Sequence, residues 1–234
     1  MPLEFVTFNV KWYEDLISHT NEKHVLLDAF QDFIGGSKES CLEIGLGTSS
    51  FVLDHLGEKF DHYDIVEKEQ LQLNLPDNAR LIIGDWEYLD VDRKYDVIIA
   101  SHVVYYFKDR KKAIQKMMNS LTKDGILIIV VNGKDADYGP MKLAFSKLVG
   151  TDYKFTYDQM HQILSKYNYT EFSRPSSLNF KTPADLFDAL KLSFDQYPKE
   201  YELHKNAMID FFNERCKNTD KFVINQKFFV CHAQ

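Results

Sequence analysis

Cys41-Leu42-Glu43-Ile44-Gly45-Leu46-Gly47-Thr48-Ser49-Ser50-Phe51 reads as the end of an apolar strand carrying a carboxylate, then a Gly-x-Gly turn, then the start of a helix. Glycine at 45 and 47 permits tight dihedrals and removes the Cβ groups that would block a bound nucleoside, while Thr48 and Ser49 can open the following helix. An ordinary strand-to-turn glycine pair looks the same in isolation, so the segments downstream have to arbitrate.

His62-Tyr63-Asp64-Ile65-Val66-Glu67 is a second strand ending in an acid, twenty residues beyond Gly47, where a carboxylate can accept from both hydroxyls of a ribose. That spacing suits NAD and S-adenosylmethionine alike. The dinucleotide fingerprint G-x-G-x-x-G needs a third glycine for close helix–strand packing, and position 50 is Ser, which weakens the pyrophosphate reading. Ala79 to Trp86 is a third apolar strand ending in Gly84-Asp85, and Tyr95 to His102 is a fourth. Strand, acid, strand, Gly-Asp, strand is the order of a methyltransferase.

With these segments in register, the chain resembles the class I S-adenosylmethionine-dependent methyltransferases over roughly residues 38 to 132. Their motif Glu/Asp-x-Gly-x-Gly-x-Gly is met by Glu43, Gly45 and Gly47, with Ser49 in place of the last glycine. The resemblance implies that these residues and Thr48 surround S-adenosylmethionine and that Glu67 binds the ribose hydroxyls. It also implies that Asp85 takes the adenine amino group with Trp86 beside the ring, and that Ser101 or His102 meets the methionine end. A narrower resemblance, to the histamine N-methyltransferase-like family, runs through His19 to His24, His102 to Asp109 and Ile128 to Gly133. It implies that Glu22 holds a substrate ammonium, that His102 stands where that family has glutamine, and that Asn225 matches an asparagine near its C-terminus. Tyr138, Met141 and Phe145 stand for its aromatic substrate wall.

A chain of 234 residues with 44% hydrophobic content can bury a core sufficient for one domain. The net charge of −7 disfavours nucleic acid, which draws clustered Lys and Arg, and suits a cationic small-molecule acceptor. Lys108, Arg110, Lys111 and Lys112 read as the solvated face of a helix. Three cysteines without ladder spacing indicate a reducing compartment and no disulfide, with Cys41 and Cys231 as core fillers. The N-terminus lacks a leader pattern and no apolar run approaches a membrane span of roughly 18 residues, so the expectation is a cytoplasmic protein with no membrane partner. No His, Asp, Glu or Cys group has metal-ligand spacing. Oligomeric state is left open.

The pattern predicts a Rossmann-like, doubly wound α/β fold: a seven-stranded sheet, mostly parallel, with the last strand antiparallel. We expect a single domain over 1–234, with an N-terminal cap at 1–36, a cofactor-binding core at 38–132 and a helical insertion at 173–221. Leu26, Ala29, Phe30 and Phe33 give the cap a helix over 20–34 ending at Gly35-Gly36. Thr156-x-x-Gln159 has the form of a capping box, and Thr182-Pro183 and Pro198 each open a helix of the insertion. Residues 5–34 and 176–220 are expected to form a lid over the acceptor.

Methyl transfer mainly requires holding a neutral nucleophile in line with the S–CH3 bond, at a near-attack separation of about 3 to 3.5 Å. An amine must also lose a proton, which His102 or Tyr105 can accept, and these are the expected catalytic residues. Tyr105 and Tyr106 are adjacent and cannot share a face; one is expected to line the acceptor site and the other the core. His102, at a strand's carboxyl edge, also counts among the acceptor-binding residues, with Glu22, Tyr106, Tyr138, Phe145 and Asn225. A nucleotide-dependent oxidoreductase and a non-catalytic S-adenosylmethionine-binding module are the competing classes.

Overall fold

Asn9 caps the first helix, its Oδ1 accepting from the Trp12 amide at 3.1 Å, and the computed structural model describes the chain from there to residue 233. Residues 1–8 of the expected cap and lid lie outside the described residues. Helix α1 (Val10–His19) is an addition to the expected cap, and α2 (Glu22–Ile34) is the helix foreseen over 20–34. Thr20 separates them in an extended conformation, its hydroxyl accepting from the Glu22 amide.

Strands and helices then alternate: β1 (Lys38–Ile44), α3 (Phe51–Leu56), β2 (Phe60–Glu67), β3 (Ala79–Ile83), β4 (Tyr95–Ser101), α4 (Arg110–Asn119) and β5 (Leu121–Asn132). After them come α5 (Tyr138–Val149), α6 (Thr156–Leu164), β6 (Tyr169–Asn179), α7 (Pro183–Ala189), α8 (Pro198–Leu203), α9 (Lys205–Arg215) and β7 (Lys221–His232). Among the described residues the seven strands form one sheet in the order β3-β2-β1-β4-β5-β7-β6. Glu43 of β1 lies beside Ile65 on one side and Ile99 on the other, in parallel pairings. β7 runs antiparallel: Gly133 donates to the Asn225 carbonyl and Ala233 to that of Gly125. This is the expected Rossmann-like sheet. Its strand order reverses between β1 and β4, the position where such sheets bind ligands at the strands' carboxyl ends.

Of the described residues, 26–131, 156–173 and 227–233 form one compact unit. Period-two alternation in its strands feeds two apolar layers. Leu42, Ile44, Ile98 and Ala100 pack with Ile114 and Met117 of α4, and Cys41, Ile65, Val97 and Ile99 pack with Ala29 and Phe30 of α2. Each Val, Leu, Ile, Phe or Met side chain among them contributes roughly 1.5–3 kcal/mol by leaving water. Within the basic run Lys108, Lys111 and Lys112 are exposed as expected, but Arg110 turns inward. α6 begins at Thr156 itself, and Gln159 Oε1 accepts from the Arg110 guanidinium at 2.6 Å, so the capping-box pairing expected there is replaced by a tertiary one.

Of the described residues, 9–25, 132–155 and 174–226 form the second unit. Thr182 caps α7 in a reciprocal box with Asp185, and His204 divides the second expected helix of the insertion into α8 and α9. The Tyr201 ring lies stacked between Phe187 and Phe194, 4.2 Å from each, and its hydroxyl donates to the Phe187 carbonyl. β6 continues to Asn179, past the expected start of the insertion, and it holds Pro175 because an edge strand tolerates a missing N–H. No helix among the described residues is long and apolar enough to cross a membrane.

Candidate active site

Both glycines of the turn have left-handed backbones, Gly45 at φ +78° and Gly47 at φ +73°, which explains glycine at each. A Cβ on Gly45 would lie 2.7 Å from Val103 Cγ2, so the space it leaves is filled by the segment after β4. Glu43 is buried and accepts from the Tyr63 hydroxyl at 2.8 Å. Burial, and then the Glu43 charge, push the Tyr63 phenol well up, so it stays a donor. Thr48 lies in the turn beyond Gly47, and the helix opens later than expected, at Phe51, with Ser50 before it donating to Asp54.

Glu67 ends β2 with its carboxylate already engaged by backbone. Oε2 accepts from Leu46 N at 2.8 Å, and Oε1 from Lys68 N at 2.7 Å and Glu69 N at 3.2 Å. Asp85 follows β3; Oδ1 accepts from Glu87 N and Oδ2 faces Lys68 Nζ at 3.3 Å. Trp86 is 2% exposed, its indole N–H donating to the Ala113 carbonyl and its ring beneath Lys116 Nζ. The structure therefore packs Trp86 into the core, under the turn that carries Asp85.

His102 follows Ser101 at the end of β4 with φ +52°, a left-handed conformation that costs a non-glycine residue about 1–3 kcal/mol. Its amide donates to the Val130 carbonyl at 3.0 Å. Its ring is nearly parallel to that of Tyr105, centroids 6.1 Å apart, while Tyr106 is exposed. Arg110 fixes this turn by donating to the Val104 carbonyl at 2.8 Å and the Tyr105 carbonyl at 3.0 Å. Glu87 accepts from the Lys108 and Asp109 amides at 2.9 and 2.7 Å.

The remaining acceptor candidates belong to the other unit. Glu22, 9% exposed, accepts from Gln226 Nε2 at 3.1 Å, and the same nitrogen donates to Ser176 Oγ at 2.8 Å. Asn225 is engaged through its backbone carbonyl, and it is the next residue, Gln226, that reaches Glu22. Tyr138 and Phe145 are buried among the aromatic residues of the insertion. Lys142, on the same helix, sends its ammonium into that cluster, 4.3 Å from the Phe194 ring centre, 5.0 Å from Tyr153 and 5.5 Å from Tyr138, and donates to the Ser193 carbonyl. Burial lowers Lys142 to about 7, against the opposing charge of Asp195. The aromatic wall expected for the substrate thus already holds an amine of the chain.

Gln226 and Lys142 belong to no motif of the sequence, and Arg110 is masked by its basic run. Gln226 left a signal: Phe222, Ile224 and Phe228 share its strand face, and it interrupts their apolar run. Burial raises all three thiols, Cys216 to about 11 and Cys231 to about 12, which leaves them poor nucleophiles. No cluster among the described residues groups three metal-ligating side chains. Acidic groups at the ends of β1 and β2 and just after β3, beside a left-handed glycine turn, fit a nucleoside joined to an amino acid: hydroxyls, an exocyclic amine and an ammonium all donate to carboxylates.

Residues 65–167 match the methyltransferase domain family. Malonyl-[acyl-carrier protein] O-methyltransferase from Calditerrivibrio nitroreducens is 22% identical over 211 residues, spanning 88% of this chain and 82% of that protein. An uncharacterized methyltransferase from Staphylococcus carnosus is 26% identical over 140 residues, 55% of this chain and 68% of that protein. The YcgJ protein of Bacillus subtilis has a similar fold, with a TM-score of 0.63 at 14% identity, over 90% of this chain and 99% of that one. The N-methyltransferase NodS from Bradyrhizobium japonicum, solved with S-adenosyl-L-homocysteine, gives a TM-score of 0.50 at 14% identity, over 91% and 86% of the two chains. The chain is an S-adenosylmethionine-dependent methyltransferase on a Rossmann-like sheet.

Proposed function

We propose that this methyltransferase transfers the methyl group of S-adenosylmethionine to a nitrogen of a small molecule whose cationic end is held by Glu22. The observation that carries the reading is the burial of that carboxylate, with Gln226 fixing one of its oxygens. A carboxylate withdrawn from water favours a cationic partner, and the net charge of −7 steers cations toward the protein.

Glu43, Gly45, Gly47 and Thr48 form the turn about the cofactor. Glu67 takes its ribose, Asp85 its adenine amine, and Ser101 with His102 its methionine end. When bound, the cofactor supplies an activated methyl group on sulfur. The chain's own work is to hold the acceptor nitrogen in line, within about 3 to 3.5 Å, and to receive its proton on His102 or on Tyr105 beside it.

A carboxylate acceptor is the second reading. It is favoured by similarity to a malonyl-carrier-protein O-methyltransferase over 88% of this chain, and by Lys142 inside the aromatic cluster of the insertion. A methyl-transfer assay over matched amines and carboxylates separates the two. Under the amine reading Glu22→Gln raises KM for the amine more than it lowers kcat, because a contact to a non-reacting group persists in ground and transition states. Turnover of carboxylates with amines inert would reject it.

A further inference from the structure

The Gln226 side chain is fully buried, and two of its neighbours fix which way its amide faces. Ser176 spends its hydroxyl hydrogen on the Ile224 carbonyl at 3.1 Å, so its oxygen meets Gln226 as an acceptor. The Glu22 carboxylate is also an acceptor. Both demand donors, so the NH2 group faces them and the carbonyl oxygen faces away. Among the described residues no donor meets that oxygen. Buried polar atoms are ordinarily paired, and one held open by its own network is suited to an external donor.

Its place on the sheet points the same way. Asn225 accepts from Gly133, the first residue beyond β5, so Gln226 lies level with that strand's carboxyl end, the edge at which these sheets bind ligands. We propose that Gln226 Oε1 reads the acceptor, taking one N–H of the cationic group while Glu22 takes another. The distal group is therefore a nitrogen cation with at least two N–H bonds, as in a primary ammonium, an amidinium or a guanidinium. Tertiary and quaternary ammonium groups carry the charge without the second donor. The assignment rests on the amine reading above and adds a donor count to it.

The test uses acceptors that share one reacting nitrogen and differ only at the distal group: primary ammonium, dimethylammonium and trimethylammonium. The wild-type enzyme should prefer the primary compound by about tenfold or more in kcat/KM, since a site built to pair with an N–H rejects analogues without it. Gln226→Met keeps length and loses the oxygen. It should bring the three within about threefold of one another, by slowing the primary compound, with S-adenosylhomocysteine affinity unchanged. Equal wild-type rates across the series, or a ranking preserved in Gln226→Met, overturns the assignment. If the variant does not fold, the wild-type ranking still decides. Glu22→Gln should raise KM for all three and keep their order. If it has that effect while Gln226→Met leaves the ranking intact, only the donor count falls; if neither variant alters kinetics, the amine reading falls too.

Discussion

Glu67 Oε2 accepts the Leu46 amide at 2.8 Å, so the carboxylate that ends β2 fastens the glycine turn that ends β1. Its other oxygen takes two amides of its own loop. A side chain expected from the sequence to bind a ribose is thus seen to clasp the turn.

Glu67→Ala should weaken S-adenosylhomocysteine by about 1–3 kcal/mol, through lost charge-assisted hydrogen bonds and a loosened turn. Glu67→Gln should fall between, because it keeps one acceptor and turns the other oxygen into a donor facing N–H groups. Titration calorimetry measures both. Unaltered affinity in Glu67→Ala would remove the residue from the cofactor site.

Gly45→Ala meets two separate obstacles: a left-handed backbone at φ +78° and Val103 Cγ2 at 2.7 Å. The first costs about 1–2 kcal/mol and the second, as overpacking, about 1–3 kcal/mol. In a Val103→Ala background the Cγ2 contact goes while the Cβ contact at 3.0 Å stays, so the cost of Gly45→Ala should shrink without vanishing. Urea unfolding of the four proteins checks this; strict additivity would show that Val103 is not what the glycine accommodates.

Lys142 makes stability depend on pH in a fixed direction. Burial lowers its pKa to about 7, against about 10.4 in an unfolded chain. Between these values the unfolded state binds one more proton, so unfolding free energy rises with pH, at up to about 1.4 kcal/mol per unit. Below the window the cost of burying the charge is present in full. Lys142→Met should flatten the rise between pH 7 and 10 and should gain most over wild type at pH 6. Parallel slopes for the two proteins would show that the amine is not desolvated as its aromatic neighbours imply.

What the sequence made legible was local. The acids at 43, 67 and 85 and the glycines at 45 and 47 follow from strand alternation and turn chemistry, and the parallel sheet follows from the spacing of its strands. The family resemblance implies Trp86 beside the adenine ring, yet its indole finds its acceptor on α4, a tertiary partner no spacing reveals. Asn225 and Gln226 show how fine the limit is. On a strand adjacent residues face opposite ways, so a register error of one position exchanges a residue that reaches Glu22 for one that does not. Arg110 was hidden by its company, since a basic run reads as solvated whichever member turns inward.

That inward turn gives the last prediction. The Arg110 guanidinium joins three groups: the Val104 carbonyl at 2.8 Å, the Tyr105 carbonyl at 3.0 Å and Gln159 Oε1 at 2.6 Å. Its fixed fork of donors can satisfy all three at once, which a lysine ammonium on a flexible stem does poorly. Arg110→Met should cost about 1–3 kcal/mol of stability by leaving those acceptors unpaired. It should also release the turn that keeps Tyr105 beside His102. If that pair receives the acceptor's proton, kcat should fall about 10- to 100-fold per folded molecule, with S-adenosylhomocysteine affinity within about twofold of wild type. Arg110→Lys should recover part of the stability and less of the rate. Unfolding curves, calorimetry and steady-state kinetics on the same preparations separate the effects. A variant that loses stability but keeps kcat would confine Arg110 to holding the turn and would take proton transfer away from the His102–Tyr105 pair.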